Sequence, residues 1–136
     1  MADQIRRIDY FYVEIPDQPG EGVRVLGALK EAGVNLLSFT AFPTGSGRAQ
    51  LDLVPEDSEA LQKAVKNTRY QLSSRKEAFF VQGENRVGAA ADVLRKLSSA
   101  GINVRATNGA AAPGGFGLIL WVAPNDYAKA AQVLGV

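Results

Sequence analysis

Two short stretches of the sequence carry side chains suited to holding a small charged molecule. They read Asp17-Gln18-Pro19-Gly20 with Asn35-Leu36 further on, and Asn85-Arg86-Val87-Gly88 with Asn103-Val104 further on. A helix that starts after such a glycine offers unpaired N–H groups to a carboxylate, and asparagine can both donate and accept. Asp17 can accept from an ammonium group, whereas Arg86 can pair with a carboxylate. We therefore predict that these twelve residues bind a zwitterion such as a free amino acid.

The same residues also have a structural interpretation. Asp or Asn before a helix is a common N-cap, Pro-Gly is common in turns, and asparagine after glycine often connects a helix to a strand. Because the whole arrangement occurs twice at a constant offset, we favour ligand contact, and the structural interpretation stays open.

The sequence is an internal repeat. Phe11 matches Phe79 at an offset of 68 residues, and the offset becomes 69 later in the repeat, as in Pro55 and Pro124. This change of offset by one residue falls at an expected hairpin turn, as is typical of a duplication. The first and second copies of the repeat should therefore share one fold.

Hydrophobic periodicity predicts the order βαββαβ in the first copy. The predicted strands are 7–15, Val34 to Phe42, Arg48 to Val54 and Tyr70 to Ser74, with one helix ending at Gly33 and another starting at Pro55 to Ser58. The second copy has strands at 78–83, 102–108 and 117–123, helices at 87–100 and 125–134, and a glycine-rich turn at 109–116 that we expect to be mobile. The fourth strand has no counterpart there, so the second sheet lacks it or borrows an edge from elsewhere.

This pattern predicts an α+β fold of two ferredoxin-like units in tandem, at 5–75 and 76–136, each an antiparallel sheet with its helices on one face. Alternation in the first strand directs Phe11 towards the helices and Tyr10 and Tyr12 towards the open face. Asp52 aligns with Trp121 in the third strands, so both should face the same way. Aromatic side chains on an open face suggest burial against another sheet or subunit. Cover of one copy by the other and a homodimer interface both stay open as explanations.

Composition excludes several functional classes. There is no cysteine or histidine, so disulfides, thiolate chemistry, imidazole bases and the usual zinc ligands are missing. Fifteen basic residues nearly balance fourteen acidic ones, which disfavours nucleic acid and anionic lipid. We expect no cofactor, no metal, no catalysis and no membrane segment, and, without a signal peptide, a cytoplasmic location. Asp52, Glu56 and Asp57 are interpreted as solvated surface and helix-start residues.

The turns and helix-to-strand segments together resemble the signature of ACT domains. Asp17-x-Pro19-Gly20 is followed by Ala32-Gly33-Val34-Asn35, and Glu84-Asn85-Arg86-x-Gly88 by Ala100-Gly101-Ile102-Asn103. The resemblance covers essentially the whole chain as two tandem copies, with Asp17 in place of the family's Asn and Val87 in place of its Pro. ACT domains are ferredoxin-like regulatory modules, often on amino-acid biosynthetic enzymes, that bind amino acids at interfaces between paired domains.

The resemblance also implies roles for particular residues and partners. In serine-binding members, the asparagines of the first turn and of the second strand contact the effector. These roles carry over to Asn85 and Asn103, and, with Asp for Asn, to Asp17 and Asn35. The sequence contains no catalytic domain, so it resembles stand-alone tandem ACT proteins. We therefore expect a homodimer that binds an amino acid and acts on an amino-acid metabolic enzyme.

Two other functions remain as alternatives. The chain is a ligand-independent interaction module if a sheet face or an unpaired edge docks onto a partner enzyme. Catalysis is the third hypothesis, because ferredoxin-like folds do host enzymes, but no acidic pair or metal cluster recurs at a suitable spacing.

Overall fold

The computed structural model describes residues 3–136. Within them it has six β-strands and four α-helices. These are β1 Gln4–Pro16, α1 Glu21–Glu31, β2 Leu36–Gly45, β3 Arg48–Pro55, α2 Ser58–Lys66, β4 Lys76–Gly83, α3 Ala89–Ser99, β5 Val104–Ala112, β6 Gly115–Val122 and α4 Tyr127–Leu134. The contacts divide into a first unit, Asp9–Lys76, and a second unit made of Glu77–Val136 with the described residues up to Ile8.

In the first unit the strand order is β2-β3-β1, and both neighbouring pairs are antiparallel. Alternation along β1 buries Phe11 and Val13 completely, and these two side chains join a cluster that includes Leu29 of α1 and Leu61 of α2. Helix α2 starts where the side chain of Asp57 accepts from two backbone N–H groups, which is ordinary N-capping. The predicted helix-facing set of β1 is thus confirmed.

The predicted fourth strand at Tyr70 to Ser74 is wrong, since these residues form no strand. Ser73 does lie beside β1, because its N–H donates to the Tyr12 carbonyl at 2.9 Å. The Tyr12 N–H, however, donates to the Ser73 hydroxyl oxygen at 2.9 Å instead of to a backbone carbonyl. A serine side chain that replaces the backbone acceptor stops the ladder after one contact.

In the second unit the strand order is β1-β4-β6-β5. The start of β1 therefore occupies the position in which the second copy has no strand of its own, so this sheet borrows its edge. Ile5 packs against the core of the unit. Arg7 donates from Nη2 to the Val136 carbonyl at 3.2 Å, and its guanidinium lies 5.7 Å from the ring centre of Tyr127. One strand, Gln4–Pro16, is thus shared between the two units.

The two cores use equivalent positions of the repeat. Val13 and Val81, Leu29 and Leu97, and Leu61 and Ala130 are pairs at the two offsets, and every member is buried. Tyr127 of the second core stacks on Phe79 at 4.5 Å between ring centres, and its hydroxyl donates to the Ala78 carbonyl. The duplication and the α+β, ferredoxin-like fold predicted from the sequence are confirmed.

One expectation about the open faces needs correction. Asp52 is 9% exposed, so it is not a solvated surface residue. It pairs with Tyr12 across the ladder and accepts from Gln50 Nε2 at 2.8 Å. Burial raises the pKa of the Asp52 carboxyl, and the Gln50 hydrogen bond opposes that rise. Trp121, by contrast, is 8% exposed within the chain itself, so it is already buried there as expected.

The glycine-rich segment of the second unit is also more regular than expected. The predicted turn at 109–116 is wrong in its bounds, because β5 continues to Ala112, β6 begins at Gly115, and only Pro113 and Gly114 turn the chain. Small residues in both strands extend the antiparallel pairing to the tip of the hairpin. No helix among residues 3–136 is long and apolar enough to cross a bilayer.

Candidate functional site

Both strand-to-helix turns place a glycine at the helix start. Gly20 (φ 89°) and Gly88 (φ 81°) are the N-caps of α1 and α3, in a backbone region that favours glycine. No side chain among residues 3–136 caps either helix, so Asp17 and Asn85 are not used as N-caps. The N-cap interpretation of these two residues is therefore wrong, whereas Asp57 shows what side-chain capping looks like in this chain.

The first turn is fixed through its backbone. The Asp17 N–H donates to the Gly47 carbonyl at 2.9 Å, and the Gln18 N–H donates to the Pro16 carbonyl at 3.0 Å. The side chains of Asp17 and Gln18, and Pro19 beside them, are exposed and have no hydrogen-bond partner among residues 3–136. The turn thus has a rigid backbone with exposed polar side chains next to the β2–β3 hairpin.

Asn35 is held by another residue of its own unit. Its Nδ2 donates to Glu56 Oε2 at 2.8 Å, and its carbonyl accepts from the Glu56 N–H at 2.9 Å. Leu36, the first residue of β2, packs against the core of the unit. Asn35 is therefore at the opposite end of β2 from the turn that contains Asp17. The separation along a strand of this length is about 30 Å, so a single unit does not bring the two together.

The second copy lacks that pairing. Asn125 stands where Glu56 stands in the first copy, and the exposed side chain of Asn103 has no hydrogen-bond partner in the described part of the chain. Asn85 is exposed in the same way, and Val87 is fully exposed beside it. Val104, the first residue of β5, is half-buried against its core. The side-chain amides of Asn85 and Asn103 therefore carry no hydrogen bond to another residue from 3 to 136.

Arg86 already holds a carboxylate from its own unit. Its Nη1 and Nη2 donate to the two oxygens of Asp3 at 2.9 and 3.1 Å, and its guanidinium lies 5.9 Å from the ring centre of Phe116. The hydrogen bonds from Arg86 hold the pKa of the Asp3 carboxyl below its ordinary value. Sequence reasoning missed Asp3, because nothing local in the sequence links residues 83 positions apart.

A cleft of about 830 Å³ lies beside this second turn. Asn85 lines it together with Gln4, Gln82 and Phe116, and the hairpin of β5 and β6 forms its far wall. Among the twelve predicted site residues, Asn85 alone lines this cleft. No cluster of acidic residues that could hold a metal ion occurs within residues 3–136.

Comparisons with known proteins support the fold. No family model matches the sequence, and no curated protein matches it. A solved protein from Bacteroides thetaiotaomicron has a TM-score of 0.83 at 18% identity, covering 96% of this chain and 88% of that one. The ligand-free regulatory subunit of aspartate kinase from Thermus thermophilus has a TM-score of 0.65 at 17% identity, covering 98% and 94%.

A further neighbour is a whole enzyme. Aspartokinase III of E. coli, solved with aspartate and ADP, has a TM-score of 0.56 at 16% identity, and the match covers 98% of this chain but 32% of the enzyme. The fold is therefore the tandem ACT-like fold that the sequence resemblance predicted, similar to the regulatory parts of aspartate kinases.

Proposed function

We propose that this chain is a non-catalytic regulatory protein that binds a free amino acid through its second copy. The ligand-binding residues are Asn85, Arg86, Val87 and Gly88 of the turn, with Asn103 and Val104 contributed across an interface between ACT-like domains. The observation that carries the proposal concerns the side chains of Asn85 and Asn103. Neither caps a helix or makes a hydrogen bond to another residue from 3 to 136.

The chemistry of the turn suits a zwitterion. The start of α3 presents backbone N–H groups and a partial positive charge to a carboxylate. Arg86 offers a guanidinium whose present partner is the Asp3 carboxylate, and a ligand carboxylate would compete with that group. The side-chain amides of Asn85 and Asn103 complete the recognition by accepting from the ammonium group.

The strand geometry favours a site formed by two copies of the chain. The turn and the asparagine lie at opposite ends of β5 in a single unit, and an amino acid is much shorter than a strand of nine residues. A ligand that touches both elements therefore needs a second domain, and β5 is a largely exposed edge strand. We accordingly propose a cytoplasmic homodimer in which both chains contribute to each site.

The first copy is the weaker candidate. Asp17, Gln18, Pro19 and Gly20 remain exposed, but Asn35 is already paired with Glu56. A ligand at Asn35-Leu36 would have to displace that pairing. The regulatory subunits among the neighbours belong to an enzyme that acts on an amino acid, which supports an amino-acid metabolic enzyme as the partner of this chain.

One observation favours the alternative, a ligand-independent interaction module. Phe39 and Phe42 on β2 are 50% and 40% exposed, so that strand presents apolar surface to a partner protein. This function predicts a stable complex whose formation does not depend on any amino acid.

A thermal-shift screen against the twenty amino acids tests the proposal. A ligand at a hundredfold excess over its Kd adds about 2.7 kcal/mol to the free energy of unfolding. We expect one amino acid, or one chemical family, to raise the melting temperature. Asn103→Ala should abolish the shift, while the matched Asn35→Ala should retain it. A flat screen in folded protein would favour the interaction module, and the enzyme partner would then be sought by affinity purification.

A further inference from the structure

The first unit contains a second cleft, and none of the twelve predicted site residues lines it. It has a volume of about 640 Å³. It is lined by the end of β1, the start of β3 and the irregular segment that replaces the fourth strand, with Glu14, Arg48 and Arg69 as its charged residues. Its position in the first unit corresponds to that of the glycine-lined cleft in the second, but its chemistry is different.

Arg69 is held in place without using the N–H donors of its guanidinium. Its Nη2 lies 3.8 Å from Glu21 Oε2, beyond hydrogen-bond distance, and its guanidinium lies 5.5 Å from the ring centre of Tyr70. The Glu21 side chain is only 11% exposed, whereas that of Arg69 is 65% exposed. Glu21 therefore holds the cation electrostatically, and the N–H donors of Arg69 remain available.

Arg48 is a second available cation. It begins β3, where its backbone pairs with Pro16 and Gly45 at the edge of the cleft. Its side chain makes no ion pair with any residue from 3 to 136. The equivalent residue of the second copy is Gly117, so the duplicated cleft there has no such cation. A charge present in only one copy is not required by the shared fold.

Two further groups complete the cleft. Glu14 occupies an exposed position of β1, and its carboxylate makes no ion pair within the described residues. Tyr70 lines the cleft, and its hydroxyl is buried without a hydrogen-bond partner in the described part of the chain. A buried hydroxyl without a partner is uncommon in a folded protein, and a bound polar ligand is one way to satisfy it.

We propose that this cleft is a second small-molecule site, specific for an amino acid with two carboxylates. Two guanidiniums match two carboxylates, because the planar guanidinium fork suits a carboxylate well. Glu14 supplies the complementary charge for the ammonium group. The site takes its ligand entirely within the first unit, so it is distinct from the site proposed at Asn85 and Asn103.

A titration followed by two-dimensional amide NMR tests this site, with L-glutamate and L-aspartate as probes. Amide signals of residues 14, 48 and 69–73 should shift. L-glutamine, which lacks the second carboxylate, and succinate, which lacks the ammonium group, should each bind at least tenfold more weakly. Arg48→Gln and Arg69→Gln should each weaken L-glutamate binding at least tenfold, whereas the exposed control Arg105→Gln should leave it unchanged.

The outcomes separate the two proposed sites. Asn103→Ala should leave glutamate binding in the cleft intact, so failure of the site at Asn103 does not remove this one. Equal binding of L-glutamate and L-glutamine, or glutamate-induced shifts that survive Arg48→Gln, would overturn the proposal. Arg48→Gln decides the result if Arg69→Gln unfolds the protein, because the Arg48 side chain makes no ion pair within the described part of the chain whose loss would matter.

Discussion

The two copies of the repeat share their buried positions and differ in their polar ones. In the first unit Asn35 is paired with Glu56 and the cleft is lined by two arginines. In the second unit Asn103 has no such partner, and the equivalent cleft is lined by glycines and amides. After duplication, the core constrains apolar positions such as Leu29 and Leu97 in both copies. Polar positions outside the core are free to diverge, which is how one fold acquires two clefts of different chemistry.

The largest expected effect comes from removing the borrowed strand. Deletion of the chain up to Ile8 should destabilise the second unit by on the order of 3–5 kcal/mol, because it removes a sheet edge and the packing of Ile5. Hydrogen exchange should report loss of protection in β4, α3 and β6. Amides of α1 and β3 in the first unit should stay protected, and the exposed substitution Gln4→Ala should have no such effect. Unchanged protection in β4 would show that the start of β1 is dispensable.

The next largest loss of stability is expected from substituting a glycine in the β5–β6 hairpin of the second unit. Gly115 has φ 142°, and a Cβ added to it would clash with the Gly83 carbonyl oxygen, so a side chain there has neither the conformation nor the space. Gly115→Ala should lower the free energy of unfolding by about 1–3 kcal/mol. The neighbouring Gly114 has open space around it, and Gly114→Ala should change stability by less than about 0.5 kcal/mol. Equal results in urea unfolding of the two variants would contradict this account.

A small gain in stability is expected from a substitution in the first unit, at Asp52. Burial raises the pKa of Asp52, so the folded state binds more protons than the unfolded state just above the ordinary Asp value, and stability falls as the pH rises through that range. Asp52→Asn should therefore raise the melting temperature at pH 7, and the gain should disappear below about pH 4. The exposed Glu77→Gln serves as the control. A variant that is less stable at every pH would show that the charge of Asp52 is needed for folding.

The repeat explains why so much of the fold was predictable. A constant offset with one slip fixes which apolar positions are equivalent, and alternation along β1 predicts which of them face the helices. The dual role of β1 was not predictable, because strand pairing between distant segments leaves no local pattern. The strand predicted at Tyr70 to Ser74 does not form, because the Ser73 side chain replaces a backbone acceptor. The burial of Asp52 depends on neighbouring residues that its position in the sequence does not identify.

The candidate site was predictable only in part. The glycine turns and both asparagines were identified from spacing and from the resemblance to ACT domains. The difference between Asn35 and Asn103 depends on Glu56, a residue of another element, whose equivalent in the second copy is Asn125. Likewise, the partner of Arg86 is Asp3, which contacts it because the chain up to Ile8 belongs to the second unit.

The most direct test of the account is a two-dimensional amide NMR titration of the whole chain with each of the twenty amino acids. We expect at least one amino acid to shift the signals of residues 84–88 and 103–104 in a saturable way. Those of Asp17 to Gly20 and Asn35 should stay in place, except where L-glutamate or L-aspartate occupies the cleft beside Pro16 and Arg48. Absence of any saturable shift at 84–88 and 103–104, or equal shifts at Asp17 to Gly20 and Asn35 with an amino acid other than L-glutamate and L-aspartate, would contradict the claim that the second copy carries the amino-acid site.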